Sequence, residues 1–470
     1  MDLSWFPHRF LRPRGWGLLV SGIFALLLAQ VMGRRDLLAL GIFLIALPLL
    51  AVLGIRLLKP GFAVYREFSP ASVETQSTTT VSLAISGDGF PGGRVMMAEQ
   101  LPPRFGEPPS FYYPSRSAAA SGLSRYEYHL RSGKRGQFRI GPVSAEFSDP
   151  FGLSLHRHEV NGSDLLTVTP AAINLPDTRL SGARGNDGIT ATTQRANPSD
   201  DDVMTREYRY GDPMRRVHWP ATARQGTLMI RQEESVTTPE ATLVLDTRLS
   251  AFAGGMGPFA TPGPDGKHPE LITTENFEWS VVAAMSIAAH LVEKNFALRV
   301  LDVHAAPGFH TSSSAPWPEE EIYSGSSGLS AVADSLAALE LDEDESATGT
   351  RTNGGHPVLG EALLEKLAMH RRRGPLIALL GNLTSAEAHR LAPAAEFGAN
   401  AFAIVVTDRP QEAHPILETL RLGGWRAMAA NYRTSLPSAW AYFDEVQFFT
   451  APSGKTALDS GRAPTVGPRS

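Results

Sequence analysis

One segment of the chain brings arginine, aspartate, histidine and tryptophan together, and from residue 200 to 234 it reads DDDVMTREYRYGDPMRRVHWPATARQGTLMIRQEE. Guanidinium groups bind phosphate or carboxylate through paired N–H donors, so this composition could hold an anionic ligand. Acidic residues of the same segment, such as Asp212 and Glu233, offer the arginines internal partners instead. We therefore favour an ion-pair network that joins two domains over an anion site.

Local structure in this segment is expected to be loop and short strand. Gly211-Asp212-Pro213 is typical of a turn. Trp219-Pro220 predicts the end of an element, because the residue before a proline avoids the helical region. Thr227 to Arg231 (TLMIR) predicts an edge strand.

Several groups of residues in the segment stand in a fixed order: Glu207-Tyr208, Gly211-Asp212-Pro213, Arg215-Arg216-Val217-His218-Trp219 and Thr222-Ala223-Arg224. They resemble the signature of the domain of unknown function fifty-eight family. The paired apolar stretches at the N-terminus, Arg135-Gly136 and Asp149-Pro150-Phe151-Gly152-Leu153 also fall where that family has them. The candidate signature and interaction residues are Arg206, Tyr208, Gly211, Asp212, Arg215, Arg216, His218, Trp219, Thr222 and Arg224.

The resemblance implies a von Willebrand A-like domain. It also implies a partner, because such proteins are typically encoded beside MoxR-type AAA+ ATPases and membrane-bound transglutaminase-like proteins. They are thought to act as adaptors or targets in ATPase-driven assembly or maturation of other proteins. The family supplies no catalytic residues, so we expect an interaction module rather than an enzyme.

A von Willebrand A domain usually holds a divalent cation through an Asp-x-Ser-x-Ser run and a later threonine and aspartate, since hard cations take oxygen ligands. This chain has Asp246-Thr247-Arg248-Leu249-Ser250. Asp246 and Ser250 match the run, but Arg248 replaces the first serine and has no lone pair to give a metal. We predict that Arg248 pairs with Asp246 in place of a cation, and that the chain binds no metal or cofactor.

Sequence patterns for other chemistries are missing. DTRLSAFAGGMG after the first α/β strand lacks the glycine spacing of a dinucleotide site, and Gly263-Pro264-Asp265-Gly266-Lys267 has the wrong spacing for a Walker loop. The chain has no cysteine, and its net charge of −5 gives no reason to expect nucleic acid. A hydrolase that uses Asp246 or Asp212 with His218 remains an alternative, as does an outward-facing cell-envelope protein.

Two uncharged apolar stretches, Gly15 to Met32 and Leu37 to Ile55, each approach the roughly 20 residues that a membrane-spanning helix needs. The short loop between them predicts an antiparallel hairpin, which we favour over a cleaved signal peptide. Arginines and lysines outside the hairpin outnumber those in its loop, so the positive-inside rule places the soluble part in the cytoplasm, beside the plasma membrane. The flanking residues are Arg9, Arg12, Arg14, Arg56, Lys59 and Arg66, against Arg34 and Arg35 in the loop.

The elements that must position these residues follow the hairpin. Short β-prone runs, such as Thr78 to Ser86 and Gly136 to Ile140, are separated by glycine and proline turns, and polar and apolar residues alternate in several of them. This pattern favours an immunoglobulin-like sandwich. We interpret Lys134-Arg135-Gly136 as turn chemistry and residues 110–121 as a mobile loop. From Ala241 onward, short apolar strands alternate with amphipathic helices, which predicts a doubly wound parallel sheet.

We therefore expect an α+β multidomain chain. Its predicted parts are a transmembrane hairpin (1–60), a β-sandwich (61–175), the signature segment and linker (176–240), a von Willebrand A-like α/β domain (241–450) and a disordered tail (451–470). Loops or disorder are also expected at residues 251–275, 305–326 and 340–356.

Overall fold

The computed structural model describes residues 11–57, 61–87, 95–113, 123–148, 151–160, 162–177, 205–208, 214, 217, 219–231, 238–252, 271–342, 357–369 and 374–445.

Two apolar helices open the described chain, α1 (Pro13–Met32) and α2 (Arg35–Leu57). Both are long and apolar enough to cross a membrane, as the sequence predicted. The turn between them passes through Gly33, whose φ of 64° suits glycine. The helices pack closely at two glycines, because a Cβ on Gly22 would lie 3.1 Å from the Gly41 carbonyl oxygen and one on Gly41 would lie 3.0 Å from that of Gly22.

A β-rich unit follows the helices. Its strands are β1 (Phe62–Ser69), β2 (Ser72–Glu74), β3 (Thr78–Gly87), β4 (Val95–Glu99), β5 (Ser110–Tyr113), β6 (Leu123–Arg131), β7 (Gly136–Ile140), β8 (Val143–Ser148), β9 (Leu155–Val160) and β10 (Asp164–Thr169). They form three sheets with the orders β1-β3-β6, β5-β4-β8-β9 and β2-β10-β7, in which only the β2–β10 pair is parallel.

The sheet β1-β3-β6 packs against both of the others. Leu83 and Ile85 of β3 share one core cluster with Val95 and Met97 of β4. Val81, on the same face of β3, packs in a second cluster with residues of β7 and β10. The predicted alternation along β3 is therefore confirmed, since every second side chain is buried.

Part of the loop predicted at residues 110–121 is a strand. Residues 110–113 form β5, which pairs with β4, and Phe111 stacks on Tyr126 with ring centroids 4.1 Å apart. Phe111 and two tyrosines supply the β-prone side chains that the proline- and serine-rich surroundings concealed. Residues 114–121 lie outside the described residues.

Three short elements connect the two units: β11 (Thr205–Glu207), α3 (Trp219–Gln225) and β12 (Met229–Arg231). β11 and β12 pair antiparallel, which confirms a strand close to the predicted one at residues 227–231. The prediction for Trp219-Pro220 was wrong, because α3 begins there instead of an element ending. Proline in the first turn costs no hydrogen bond, since that N–H has no partner within the helix.

The α/β unit contains β13 (Glu240–Leu245), α4 (Leu249–Phe252), α5 (Glu275–Glu293), β14 (Ala297–Asp302), β15 (Ile322–Tyr323), α6 (Gly325–Ala337), α7 (Glu361–Ala368), β16 (Pro375–Leu380), α8 (Ser385–Leu391), β17 (Asn400–Val406), α9 (His414–Leu422), β18 (Arg426–Ala430) and α10 (Leu436–Glu445). The sheet order is β15-β14-β13-β16-β17-β18, and only β15 is antiparallel.

Helices cover both faces of this sheet. Leu243 and Leu245 of β13 face a core cluster that includes residues of α5, α6 and α10. Val244, between them, faces the opposite cluster, which includes residues of α7, α8 and α9. Burial on both faces explains why β16 and β17 are almost wholly apolar.

One segment predicted as loop or disorder, residues 305–326, is packed into this unit. Phe309 is fully buried and meets Tyr323 of β15 edge to face, with ring centroids 5.7 Å apart. These two aromatic side chains anchor a connection whose glycine, serine and proline content had predicted disorder. Residues 253–270 and 343–356 and the tail from 446 onward lie outside the described residues.

Candidate functional site

The carboxyl edge of the six-stranded sheet brings together the residues that follow β13, β16 and β17. Asp246 follows β13, Gly381 follows β16 and Thr407 follows β17. The backbone N–H of Asp246 donates to the Leu379 carbonyl at 3.0 Å, and the Gly381 N–H donates to Asp246 Oδ2 at 3.2 Å. Ligands of open α/β sheets bind at this edge, so these residues define the candidate site.

Arg248 fills the space beside Asp246. Its Nε donates to Asp246 Oδ1 at 2.9 Å and its Nη2 donates to Asp246 Oδ2 at 2.8 Å, a two-pronged ion pair. Asp246 is fully buried and Arg248 is 6% exposed. The pairing expected from the sequence is therefore present, whereas Ser250, which matches the cation-binding run, is exposed on α4.

Glu387 completes this charge cluster from the first turn of α8. Arg248 Nη1 donates to Glu387 Oε1 at 2.6 Å. The other carboxylate oxygen, Oε2, accepts from the Thr384 N–H at 2.7 Å, and Thr384 in turn caps the helix by accepting from the Glu387 N–H. This reciprocal capping box fixes the carboxylate where the guanidinium meets it.

The pKa values reflect this mutual support. Burial by itself would lower the pKa of the Arg248 guanidinium, but the hydrogen bonds and charges of Asp246 and Glu387 raise it above its ordinary value. Burial would likewise raise the pKa of Glu387, yet hydrogen bonds from Thr384 and the nearby Arg248 lower it. Arg248 and Glu387 are therefore both ionised at neutral pH. Among the described residues, no group of three or more histidines and carboxylates could hold a metal ion.

The lowered pKa of Glu387 makes stability depend on pH. A carboxylate whose folded pKa lies below its unfolded value, here 4.5, stabilises the fold above that value, and this contribution is lost as pH falls through the folded pKa. We expect Glu387→Gln to lose less stability than the wild type when pH falls from about 5.5 to about 3. Thermal unfolding of both proteins across this range is the measurement, and parallel curves would contradict the assignment.

A cleft of about 390 Å³ opens at the same edge of the sheet, between the ends of β16 and β17, and Asp246, Arg248 and Glu387 do not line it. Its lining combines apolar and polar side chains: Asn382, Leu383, Val405, Thr407, Asp408, Arg409, Glu412, Ala413 and Ile416. A hydrogen bond from α5 positions Asp408, whose Oδ1 accepts from Asn276 Nδ2 at 2.6 Å. Arg409 and Glu412 form an exposed ion pair at 3.1 Å, so the cleft presents charges of both signs to a partner.

A second buried arginine joins the β-rich and α/β units. Arg135, at the turn before β7, is 4% exposed. Its Nη1 donates to the carbonyls of Leu336 and Leu339 at the C-terminal end of α6, at 2.7 and 2.6 Å. Its Nε and Nη2 donate to the two carboxylate oxygens of Glu278 on α5, at 3.0 and 2.9 Å. Lys134-Arg135-Gly136 is thus more than turn chemistry, because its arginine crosses to the other unit.

The signature residues are only partly described. Tyr208 is half-buried and its N–H donates to the Leu228 carbonyl at 2.8 Å. Thr222 Oγ1 accepts from the Met229 N–H at 3.0 Å, which joins α3 to β12. Trp219 is 65% exposed and Arg224 is exposed. Gly211, Asp212, Arg215, Arg216 and His218, with the side chain of Arg206, lie outside the described residues, so the domain-joining role expected of this segment stays a prediction.

The described parts of the signature lie on β11, α3 and β12, and the α/β unit begins with β13 and α4. Residues 204–256 match the family described as protein of unknown function DUF58. This DUF58 segment contains Asp246 and Arg248, so the family match covers two of the three residues of the buried charge cluster. No curated protein matches the chain.

Solved structures give no further guidance. The alkylpurine DNA glycosylase AlkC of Pseudomonas fluorescens, bound to DNA with an abasic site analogue, has 13% identity over 33% of this chain and 46% of its own, with a TM-score of 0.15. Cwp6 of Clostridium difficile has 9% identity over 78% of this chain and 52% of its own, with a TM-score of 0.14. The chain spans about half the length of each, and such TM-scores carry no argument about the fold or function of the DUF58 segment.

The sequence patterns did not predict two residues of the site region, Glu387 and Glu278. Glu387 meets Arg248 across 139 positions of sequence, and its only local signal was the Thr384-to-Glu387 spacing of a capping box. Glu278, the partner of Arg135, carries no motif. Its place in the first turn of a predicted helix was the only available signal.

Proposed function

We propose that this protein is a membrane-anchored protein-interaction module, working with a MoxR-type AAA+ ATPase in the assembly or maturation of other proteins. In this proposal the β-rich unit is an immunoglobulin-like sandwich. The α/β unit is a von Willebrand A-like domain that contacts its partner through the carboxyl edge of the sheet. The module is not an enzyme, holds no cofactor and binds no nucleic acid.

The observation that carries the proposal is the buried contact of Arg248 with Asp246 and Glu387. A divalent cation at this edge would recruit a partner by accepting one of the partner's carboxylates. Here a guanidinium occupies both oxygens of Asp246, so recognition falls to the side chains around the cleft. A hydrolase that used Asp246 would need this side chain to be accessible, and it is fully buried. The form of the alternative that uses Asp212 with His218 falls on residues outside those that the structure describes.

The metal part of the proposal gives a direct prediction. We expect isothermal titration of the full chain with Mg²⁺ or Mn²⁺ to give no tight, stoichiometric binding. Arg248→Ser restores the hydroxyl and leaves the carboxylates of Asp246 and Glu387 facing one another, so Mg²⁺ should raise the melting temperature of this variant and leave that of the wild type unchanged. Tight binding to the wild type that is lost in Asp246→Ala would contradict the proposal.

Co-purification tests the partner. The full chain, tagged and extracted from native membranes in mild detergent, should retain an AAA+ ATPase that mass spectrometry identifies. Arg409→Glu reverses an exposed charge of the cleft and should weaken this retention, whereas Arg125→Glu, an exposed position on β6, should not. Equal retention by both variants would show that the partner does not bind at the cleft. If no AAA+ ATPase were retained although the ATPase is present in the cell, the proposed partnership would be overturned.

The orientation of the soluble part in the membrane can be tested with one introduced cysteine, because the chain has no cysteine of its own. A single cysteine at Arg125 should react with a membrane-impermeant maleimide in inverted vesicles and not in intact cells, as the positive-inside rule predicts for a cytoplasmic domain. The reverse labelling pattern would favour the outward-facing envelope protein.

A further inference from the structure

The turn that joins β8 and β9 is held against the first turn of α1. We call its described residues, 151–154, the Phe151 turn. The Leu153 carbonyl accepts from the Arg12 N–H at 2.9 Å, and Leu11 forms an antiparallel bridge with Ser154. A Cβ on Gly15 would lie 2.4 Å from the Leu153 carbonyl oxygen, so only glycine permits this approach.

An ion pair reinforces the same contact from the neighbouring strand. Arg12 Nη2 lies 3.3 Å from Glu146 Oε1 on β8. The second apolar helix reaches the same region, because α2 also contacts β9. The Phe151 turn therefore lies where both apolar helices leave or enter the β-rich unit.

This position coincides with the start of the uncharged part of α1. Arg12 and Arg14 are exposed, and no charged residue follows until Arg34. A helix of 20 residues is about as long as the hydrocarbon core of a bilayer is thick, so its first turn has to lie at the membrane surface if the helix spans it. Contacts with that turn place the Phe151 turn at the same depth.

Two apolar side chains of the Phe151 turn differ in their exposure. Leu153 is 4% exposed and packs within the protein, whereas Phe151 is 65% exposed. Aromatic side chains concentrate at the level of the lipid headgroups, where an apolar ring leaves water without entering the hydrocarbon centre. Half-buried Trp16 lies in the same turn of α1, and the exposed guanidinium groups of Arg12 and Arg14 suit lipid phosphates.

We infer that the Phe151 turn is a third membrane contact, in which the Phe151 ring inserts into the headgroup region of the bilayer beside α1. This inference rests on the proposed membrane anchoring. The inference adds that the β-rich unit contacts the lipid surface directly, instead of being tethered to the membrane only through the two helices. The Arg12–Leu153 contact and the inserted ring together fix the orientation of the unit on the membrane.

Spin labelling of single cysteines in the full chain, in phosphatidylcholine–phosphatidylglycerol nanodiscs, tests the inference. The three positions are Phe24 within α1, Phe151, and Leu165 on β10, which are 65%, 65% and 53% exposed. Leu165 is the matched control, because β9 carries the chain roughly 20 Å away from the Phe151 turn before β10 begins. We expect labels at 24 and 151 to collide with a water-soluble nickel chelate several-fold less often than the label at 165.

The labelling results distinguish failure of the Phe151 contact from failure of the membrane anchoring. A label at 24 shielded from the chelate, with labels at 151 and 165 equally accessible, would overturn the Phe151 contact and leave the membrane anchoring intact. A label at 24 as accessible as that at 165 would overturn the membrane anchoring and this inference together. Matching melting temperatures of the labelled and wild-type chains verify that the fold is kept.

A measurement on the wild-type chain removes any influence of the label. Nanodiscs that contain a phospholipid with a diazirine near its headgroup are irradiated, and mass spectrometry locates the adducts. We expect adducts in the peptide that contains Phe151 and none in the peptide that contains Leu165. Adducts confined to α1 and α2 would overturn the inference.

Discussion

Replacement of Arg248 by alanine should destabilise the α/β unit by about 3–5 kcal/mol, because it leaves the fully buried carboxylate of Asp246 without its counter-charge. Glu387 also loses its ion pair, although the capping hydrogen bonds from Thr384 remain. Hydrogen exchange of the full chain should show the loss locally, as faster exchange in β13, β16 and the first turn of α8. The change in unfolding free energy follows from the exchange rates of the most protected amides.

The matched control is Arg409→Ala, which removes an exposed ion pair and should cost at most about 1 kcal/mol. A double variant tests the mechanism further. Arg248→Met with Asp246→Asn removes both charges, so it should be less destabilised than Arg248→Met alone. If the single and double variants lost equal stability, the cost would lie in lost packing and not in an uncompensated charge.

Arg135→Ala should have the second large effect, a loss of about 2–4 kcal/mol together with weaker coupling of the two units. The variant removes the guanidinium that donates to the Leu336 and Leu339 carbonyls and forms the ion pair with Glu278. In calorimetry of the full chain, the β-rich and α/β units should then unfold in two separated transitions. Hydrogen exchange should increase at the C-terminal end of α6.

Two further variants define how Arg135 acts. Arg135→Lys keeps the charge but lacks the planar fork, so its stability should lie between those of the wild type and Arg135→Ala. Lys134→Ala changes the exposed neighbour and should leave both the unfolding temperature and the cooperativity unchanged. A single cooperative transition in Arg135→Ala would assign the coupling to other contacts, such as that between the Ile173 N–H and Ser286 Oγ at 2.9 Å.

Elements with strong local signals could be predicted from the sequence. β7 has the predicted bounds, residues 136–140, and α5 is one of the helices expected after Ala241, with Thr274 accepting from the Phe277 N–H at its start. Elements with weak or mixed signals could not. β5 was hidden in a proline- and serine-rich region. Trp219-Pro220 was interpreted as an end because proline disfavours helix for the residue before it, although it is tolerated in the first turn of a helix.

The sequence by itself determined the apolar helical pair, the alternation of strands and helices after residue 240, and the chemical conflict between Arg248 and a cation site. Each of these depends on residue types at fixed spacing along the chain, which local physical chemistry suffices to interpret. Only the tertiary structure decided that Glu387 is the second partner of Arg248 and that Arg135 binds the end of α6. Those contacts depend on the order of the strands, which places β16 beside β13 and brings Glu387 of α8 to Arg248 across 139 positions of sequence.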